Sequence, residues 1–143
     1  MHWGHAVSRD LVHWQNLPLA LFSDSHGMIS SGSAAYGRHN TFGVGTPGHR
    51  SLLAICTAHD PHRERHGGND FQDQSIAYNL DHGRSSKKFA GNPVLTNSGS
   101  RDFRDPTVSW FEARRTWVMT PAVADHVSRY SPGELQSICG TDQ

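Results

Sequence analysis

Eight residues gather most of the chemistry this chain can offer: Arg101-Asp102-Phe103-Arg104-Asp105-Pro106-Thr107-Val108. Two carboxylates and two guanidinium groups stand within the first five of them. A carboxylate can accept hydrogen bonds, move a proton or stabilise developing positive charge. An arginine beside it can pair with it or anchor a hydroxyl-rich ligand through its planar fork. Pro106 has no N–H and disfavours the helical region for the residue before it. The expectation is an extended Asp105 at the start of a strand, its carboxylate carried on a stiff backbone. A solvated salt-bridge cluster at a strand start is the plainer reading of the same residues.

Two other groups of side chains invite chemical readings. Ser30-Ser31-Gly32-Ser33-Ala34-Ala35 is rich in small residues and hydroxyls. Such a stretch lets a backbone come close to a ligand, and it equally suits a tightly packed inner strand. His59, His62 and His66 fall in one short segment. Pro61, Gly67 and Gly68 argue that this segment is a loop, and no further ligand cluster supports zinc. No metal is expected. His5 and His13 are read as packed, hydrogen-bonded strand residues. Trp3, Trp14, Trp110 and Trp117 could each stack on a sugar, but their apolar neighbours favour core packing.

The elements that must hold these groups read as strands. His2 to Ser8 is one, Ser8 to Leu11 a turn, and Val12-His13-Trp14 the return. Pro18 punctuates, while Leu17, Leu19 and Leu21 alternate as on a half-buried strand. Gly27 to Tyr36, Leu52 to Ala58 and Phe71 to Tyr78 are three more, Leu52 to Ala58 being the clearest buried one. Asn79 to Arg84 is a hairpin turn. A polar turn, a returning strand and a Pro-apolar exit recur at Ala6–Leu21 and Ala77–Leu95, and Val127-Ser128-Arg129-Tyr130-Ser131-Pro132-Gly133 begins a third copy. Such repetition suggests propeller blades.

Composition bounds the rest. At 143 residues there is room for one modest domain. Thirteen basic residues balance 13 acidic ones, so no long-range field draws the chain to nucleic acid or an anionic membrane. Only 35% of residues are hydrophobic, which suits a loop-rich β protein. No apolar run reaches membrane-span length. No leader is legible before His2, so the start gives no address. Cys56 lies in a buried-strand pattern and reads as a small core residue. Two cysteines, Cys56 and Cys139, do not fix a compartment.

Phe103-Arg104-Asp105-Pro106 resembles the Arg-Asp-Pro motif of glycoside hydrolase family 32, the invertases, inulinases and levanases. Trp3-Gly4-His5-Ala6-Val7-Ser8 resembles that family's Trp-Gly-His-Ala-x-Ser segment, and Ser31-Gly32-Ser33-Ala34 its Ser-Gly-Ser-Ala element. Asp73-Gln74-Ser75-Ile76-Ala77-Tyr78 and Gly91-Asn92-Pro93-Val94-Leu95 resemble the run before Arg-Asp-Pro. Trp117-Val118-Met119 and Asp125-His126-Val127 resemble the family's segments C-terminal to that motif. The motifs stand in family order and span roughly residues 2 to 132.

The resemblance implies an all-β fold, part of a five-bladed β-propeller, with about two to three blades in residues 1–134 and a divergent tail at 135–143. It implies a parent activity of retaining hydrolysis of β-fructosidic bonds in sucrose, inulin or levan. Asp105 would be the transition-state stabiliser. Arg104, Ser31 and Ser30 would contact the fructosyl unit, Ser30 standing where the family has phenylalanine. A retaining glycosidase also needs a nucleophile and an acid/base carboxyl about 5–5.5 Å apart. Neither the family's Trp-Met-Asn-Asp-Pro-Asn nor its Glu-Cys motif is present, and Glu134 does not match. The expectation is therefore an inactive or nearly inactive chain when taken alone. A non-catalytic carbohydrate binder and a fructosyltransferase of a related propeller family stand as alternatives. The implied partner is a fructose-containing oligo- or polysaccharide, without cofactor, nucleic acid or membrane. The implied location is extracellular, and the oligomeric state is left open.

Overall fold

The computed structural model describes residues 1–37, 42, 44 and 50–131. Nine strands form three antiparallel sheets among these residues. The first sheet pairs β1 (Trp3–Ser8) with β2 (Trp14–Leu21). The second runs β3 (Met28–Gly37), β4 (Ser51–His59), β5 (Gln72–Asn79) and the short β6 (Lys87–Lys88), in chain order. The third runs β7 (Phe103–Phe111), β8 (Thr116–Val123) and the short β9 (His126–Val127). One short helix, α1 (Pro61–Arg65), joins β4 to β5.

Side-chain alternation shows how the sheets stack. On β4, Leu53 and Ile55 point one way and Cys56 the other. Leu53, Ile55, Ile76 and Val94 pack with Phe103, Met119, Trp117 and Val123 of the third sheet. Cys56 and Ala77 pack with Leu21 of the first sheet, Trp3 lying against them. The second sheet is therefore a middle layer, buried on both faces. That is why β4 reads as a nearly continuous apolar run, whereas β5 is buried along its length although Gln72, Gln74, Ser75 and Asn79 are polar. The third sheet keeps a clean alternation on β8, where Trp117, Met119, Pro121 and Val123 are buried between half-buried neighbours. β3 and β7 lie side by side where the second sheet meets the third.

One buried polar chain fixes that interface. Thr57 Oγ1 donates to Gln74 Oε1 at 3.2 Å, and Gln74 Nε2 donates to the Phe103 carbonyl at 2.8 Å. Both side chains are fully buried. Gln74 also exchanges backbone hydrogen bonds with Val94 and Leu95. Leaving one of these groups unpaired would cost about 1–3 kcal/mol, so the start of β7 is tied firmly to β5.

Several sequence expectations need correction. Pro18 does not end a segment but sits within β2. Among the described residues β2 pairs only with β1, and Pro18 falls where that register shifts between Leu17 and Leu21, so its missing N–H is tolerated. Leu19 on the same strand is exposed, so the alternation there is incomplete. The segment after His59 is not all loop. Asp60 accepts from the His62 and Arg63 amides as an N-cap, and Pro61 occupies the first turn, where its missing N–H costs nothing. Trp14 is 58% exposed rather than packed in the core. His5 is packed, but neither ring nitrogen has a partner. His13 is exposed and pairs with Asp10 at 2.7 Å.

The first turn does follow its chemistry: Asp10 Oδ1 accepts from the amides of Val12 and His13 at 3.0 and 2.8 Å. Cys56 is buried as expected, and burial pushes its thiol pKa up to about 11. Glu134 and Cys139 lie outside the described residues.

Candidate active site

Asp105 is placed by a defect in the sheet. The pairing of β7 with β8 runs Phe103 to Val123 and Arg104 to Ala122, then resumes at Thr107 with Thr120. Asp105 and Pro106 occupy the break. A bulge of this kind bends the strand and re-aims a side chain. Asp105 has φ +55°, so the extended backbone expected from Pro106 is not what forms. The steric preference set by proline is overridden here by the bulge. Aspartate is among the few residues that enter the left-handed region at modest cost.

The same device recurs on β3. Its register with β4 shifts between Ile29 and Gly32, so Ser30 and Ser31 stand at a second bulge. Gly32 closes it. A Cβ there would lie 1.9 Å from the Ile55 carbonyl oxygen, so the β4 backbone demands glycine. The Trp3 indole N–H donates to the Ser30 carbonyl at 2.6 Å, so the first sheet braces this bulge from behind.

The two bulges meet. The Asp105 amide donates to Ser31 Oγ at 3.3 Å. Arg104 reaches along the strand, with Nη1 at 3.1 Å from Asp102 Oδ1 and Nε at 3.6 Å from Asp105 Oδ2. Half of the Arg104 side chain is open to solvent, and slightly more of Asp105. These residues line one open cleft of about 440 Å³, within the usual size of a small-molecule site. All four residues singled out from the sequence, Ser30, Ser31, Arg104 and Asp105, are brought together there.

The sequence reading assigned no site role to His59, Glu64 and Gln72, which line the same cleft together with Arg101 and Asp102. His59 Nε2 lies 2.9 Å from Glu64 Oε2. Asp60-Pro61 was a readable helix-start signal that would have placed Glu64 on an ordered element. Among the described residues, no group of three His, Cys, Asp or Glu side chains is arranged to hold a metal ion. Carboxylate, hydroxyl and guanidinium groups converging on an open cleft can bind a neutral polyol by many directed hydrogen bonds.

Antiparallel sheets stacked face to face, with a cleft at the starts of adjacent inner strands, define part of a β-propeller. Residues 1–133 match the family model described as "Glycosyl hydrolases family 32 N-terminal domain", and the chain belongs to that family. The levanase of Bacillus subtilis (strain 168) is 48% identical over 136 residues, covering 95% of this chain and 19% of that protein. The extracellular exo-inulinase of Aspergillus awamori is 37% identical over 140 residues, covering 86% of this chain and 26% of that protein. The solved structure of fructofuranosidase from Schwanniomyces occidentalis complexed with fructose superposes with a TM-score of 0.77 at 32% identity. It covers 94% of this chain and 26% of that one. The chain therefore spans between a fifth and about a quarter of the length of these proteins.

Proposed function

We propose that this chain carries the transition-state-stabilising part of a retaining β-fructosidase, acting on sucrose, inulin or levan. The observation that carries the proposal is the meeting of two bulges, which ties the Asp105 amide to Ser31 and leaves its carboxylate beside Arg104 in an open cleft. Asp105 accepts hydrogen bonds from fructosyl hydroxyls. As the glycosidic bond breaks, positive charge develops on the sugar ring, and those bonds tighten. A carboxylate fixed in advance by its backbone needs little reorganisation at that moment. Arg104 binds the sugar and pairs with Asp105. Ser31 and Ser30 contribute hydroxyls at the inner wall.

No carboxylate in these 143 residues carries the sequence context of the family's nucleophile or its acid/base. The 143-residue polypeptide by itself therefore binds fructosides without cleaving them. The family match runs through residue 133, and the reading of residues 1–134 as domain with a divergent tail at 135–143 is part of this proposal. The exo-inulinase relative is named extracellular, which supports the same location here.

The test is fructose release from sucrose and inulin by the purified chain, with Asp105→Asn alongside. Binding is followed in the same samples by ligand-observed NMR. Binding without release, weakened in Asp105→Asn, is the expected result. Release that vanishes in Asp105→Asn would show that an unassigned carboxylate serves as nucleophile. Binding that is indifferent to Asp105→Asn would remove Asp105 from the site.

A further inference from the structure

The second sheet places a row of side chains, ending in the polar pair His59 and Gln72, along the cleft that holds Asp105. Met28 on β3 faces His59 on β4, and His59 faces Gln72 on β5. Ser30 lies two residues along β3 from the start of that row. Each step across the sheet is about 4.8 Å, so Gln72 stands about 10 Å outward from β3. All of these residues line the same cleft as Asp105.

Three observations mark this outer wall as built rather than incidental. First, Glu64 is held on α1 from two sides, with His59 Nε2 at 2.9 Å and Arg101 Nη2 at 4.0 Å. Second, both holding groups rest on one buried ring. His59 packs edge-on to Phe71 at 5.2 Å, and the Arg101 guanidinium lies over it at 5.6 Å. Third, Gln72 is 5% exposed, its Nε2 sits 3.5 Å from His59 Nδ1, and its Oε1 has no hydrogen-bond partner. A brace for α1 alone would explain the His59–Glu64 pair. It would not explain an unpartnered amide oxygen beside it, since buried polar atoms are rarely left unpaired.

We infer that Glu64 and Gln72 form an outer subsite that takes the hydroxyls of the second sugar of a fructose-containing oligosaccharide. This rests on the reading of Asp105 as the site of the terminal fructosyl unit. An ionised carboxylate and an amide oxygen are acceptors, and vicinal sugar hydroxyls are the donors they require. Gln72 stands two strands outward from β3, whose bulge meets Asp105, so this wall is assigned to the next sugar rather than to the ring at Asp105. It acts on chain length and linkage rather than on the fructosyl unit itself. Glu64 and Gln72 are binding residues here, and His59 and Arg101 position Glu64.

The experiment compares two probes on the full 143-residue chain, fructose and an inulin-type trisaccharide, by titration calorimetry and saturation-transfer NMR. Glu64→Gln and Gln72→Met are each expected to weaken trisaccharide binding by about fivefold or more, as expected from losing one hydrogen bond, and to leave fructose binding unchanged. Asp105→Asn is expected to weaken both. Unchanged trisaccharide affinity in both outer-wall variants overturns the inference. Equal weakening of both probes also overturns it, because the wall then acts on the first ring or through the fold. Absence of trisaccharide binding by the unmodified chain overturns it too. Asp105→Asn leaving both probes unaffected would instead defeat the reading of Asp105, while the outer-wall variants still report on Glu64 and Gln72 separately.

Discussion

At the residue scale, Asp105 combines a chemical role with an unusual backbone. Its φ of +55° is accessible to aspartate and asparagine but costly for a residue with no polar side chain. Asp105→Asn should therefore keep the fold and lose only the charge. Asp105→Ala should lose the charge and about 1 kcal/mol of stability besides. Thermal denaturation of the two variants, side by side, checks this. An alanine variant as stable as the asparagine variant would mean the strain at this position is negligible. The motif was legible in the sequence because its residue types are rare in combination. Its left-handed conformation was not, because proline's local preference pointed to the extended region and only the register of β7 with β8 overrides it.

At the scale of elements, the β3 bulge depends on close approach at Gly32 and α1 on its cap. Gly32→Ala should destabilise the chain by about 1–3 kcal/mol, since the added Cβ meets the β4 backbone, which cannot rotate away. Gly4→Ala is the matched control. Nothing lies within 4 Å of a Cβ there, and no loss is expected. Chemical denaturation of both variants separates packing from a general dislike of alanine. At α1, Asp60→Ala removes the acceptor for the His62 and Arg63 amides and should cost about 1 kcal/mol locally. Faster hydrogen exchange at those two amides is the readout. Because α1 carries Glu64, the same variant is expected to weaken trisaccharide binding as well. Here the Asp-Pro start signal was present in the sequence, but the histidines and glycines around it masked a helix of five residues.

At the scale of the whole molecule, charge pairs join elements distant in sequence. Lys88 on β6 bonds Asp24, in the turn between β2 and β3, at 2.5 Å. Burial opposes ionisation of Asp24 and is the largest single influence. Lys88 and the His26 amide together outweigh it, and the carboxyl is held below its ordinary value of 3.8. A lowered folded-state pKa adds stability that is fully present above the unfolded value and is lost as pH falls through the folded one. The melting temperature should therefore drop as pH falls below about 4, and Asp24→Asn should show a smaller drop. Parallel curves for the two proteins would rule this pair out as a source of acid sensitivity. Among the described residues β1 pairs only with β2, leaving its outer edge free. An open edge of this kind predicts concentration-dependent association, to be measured by sedimentation velocity.

The sequence by itself determined the strand-rich class, the strong buried strand from Leu52 to Ala58, the family, and that Ser30, Ser31, Arg104 and Asp105 were the side chains to watch. All of these rest on periodicity and short motifs, which are local properties of a chain. Only the tertiary structure decided that Ser31 and Asp105, 74 residues apart, share a hydrogen bond. It alone placed Gln74 against Phe103 across 29 residues, left Trp14 in solvent, and set Glu64 and Gln72 in the same cleft as Asp105. Each of these depends on how one sheet stacks on the next. Stacking is settled by the packing of both faces of the middle sheet at once, and no window of sequence contains both of its neighbours.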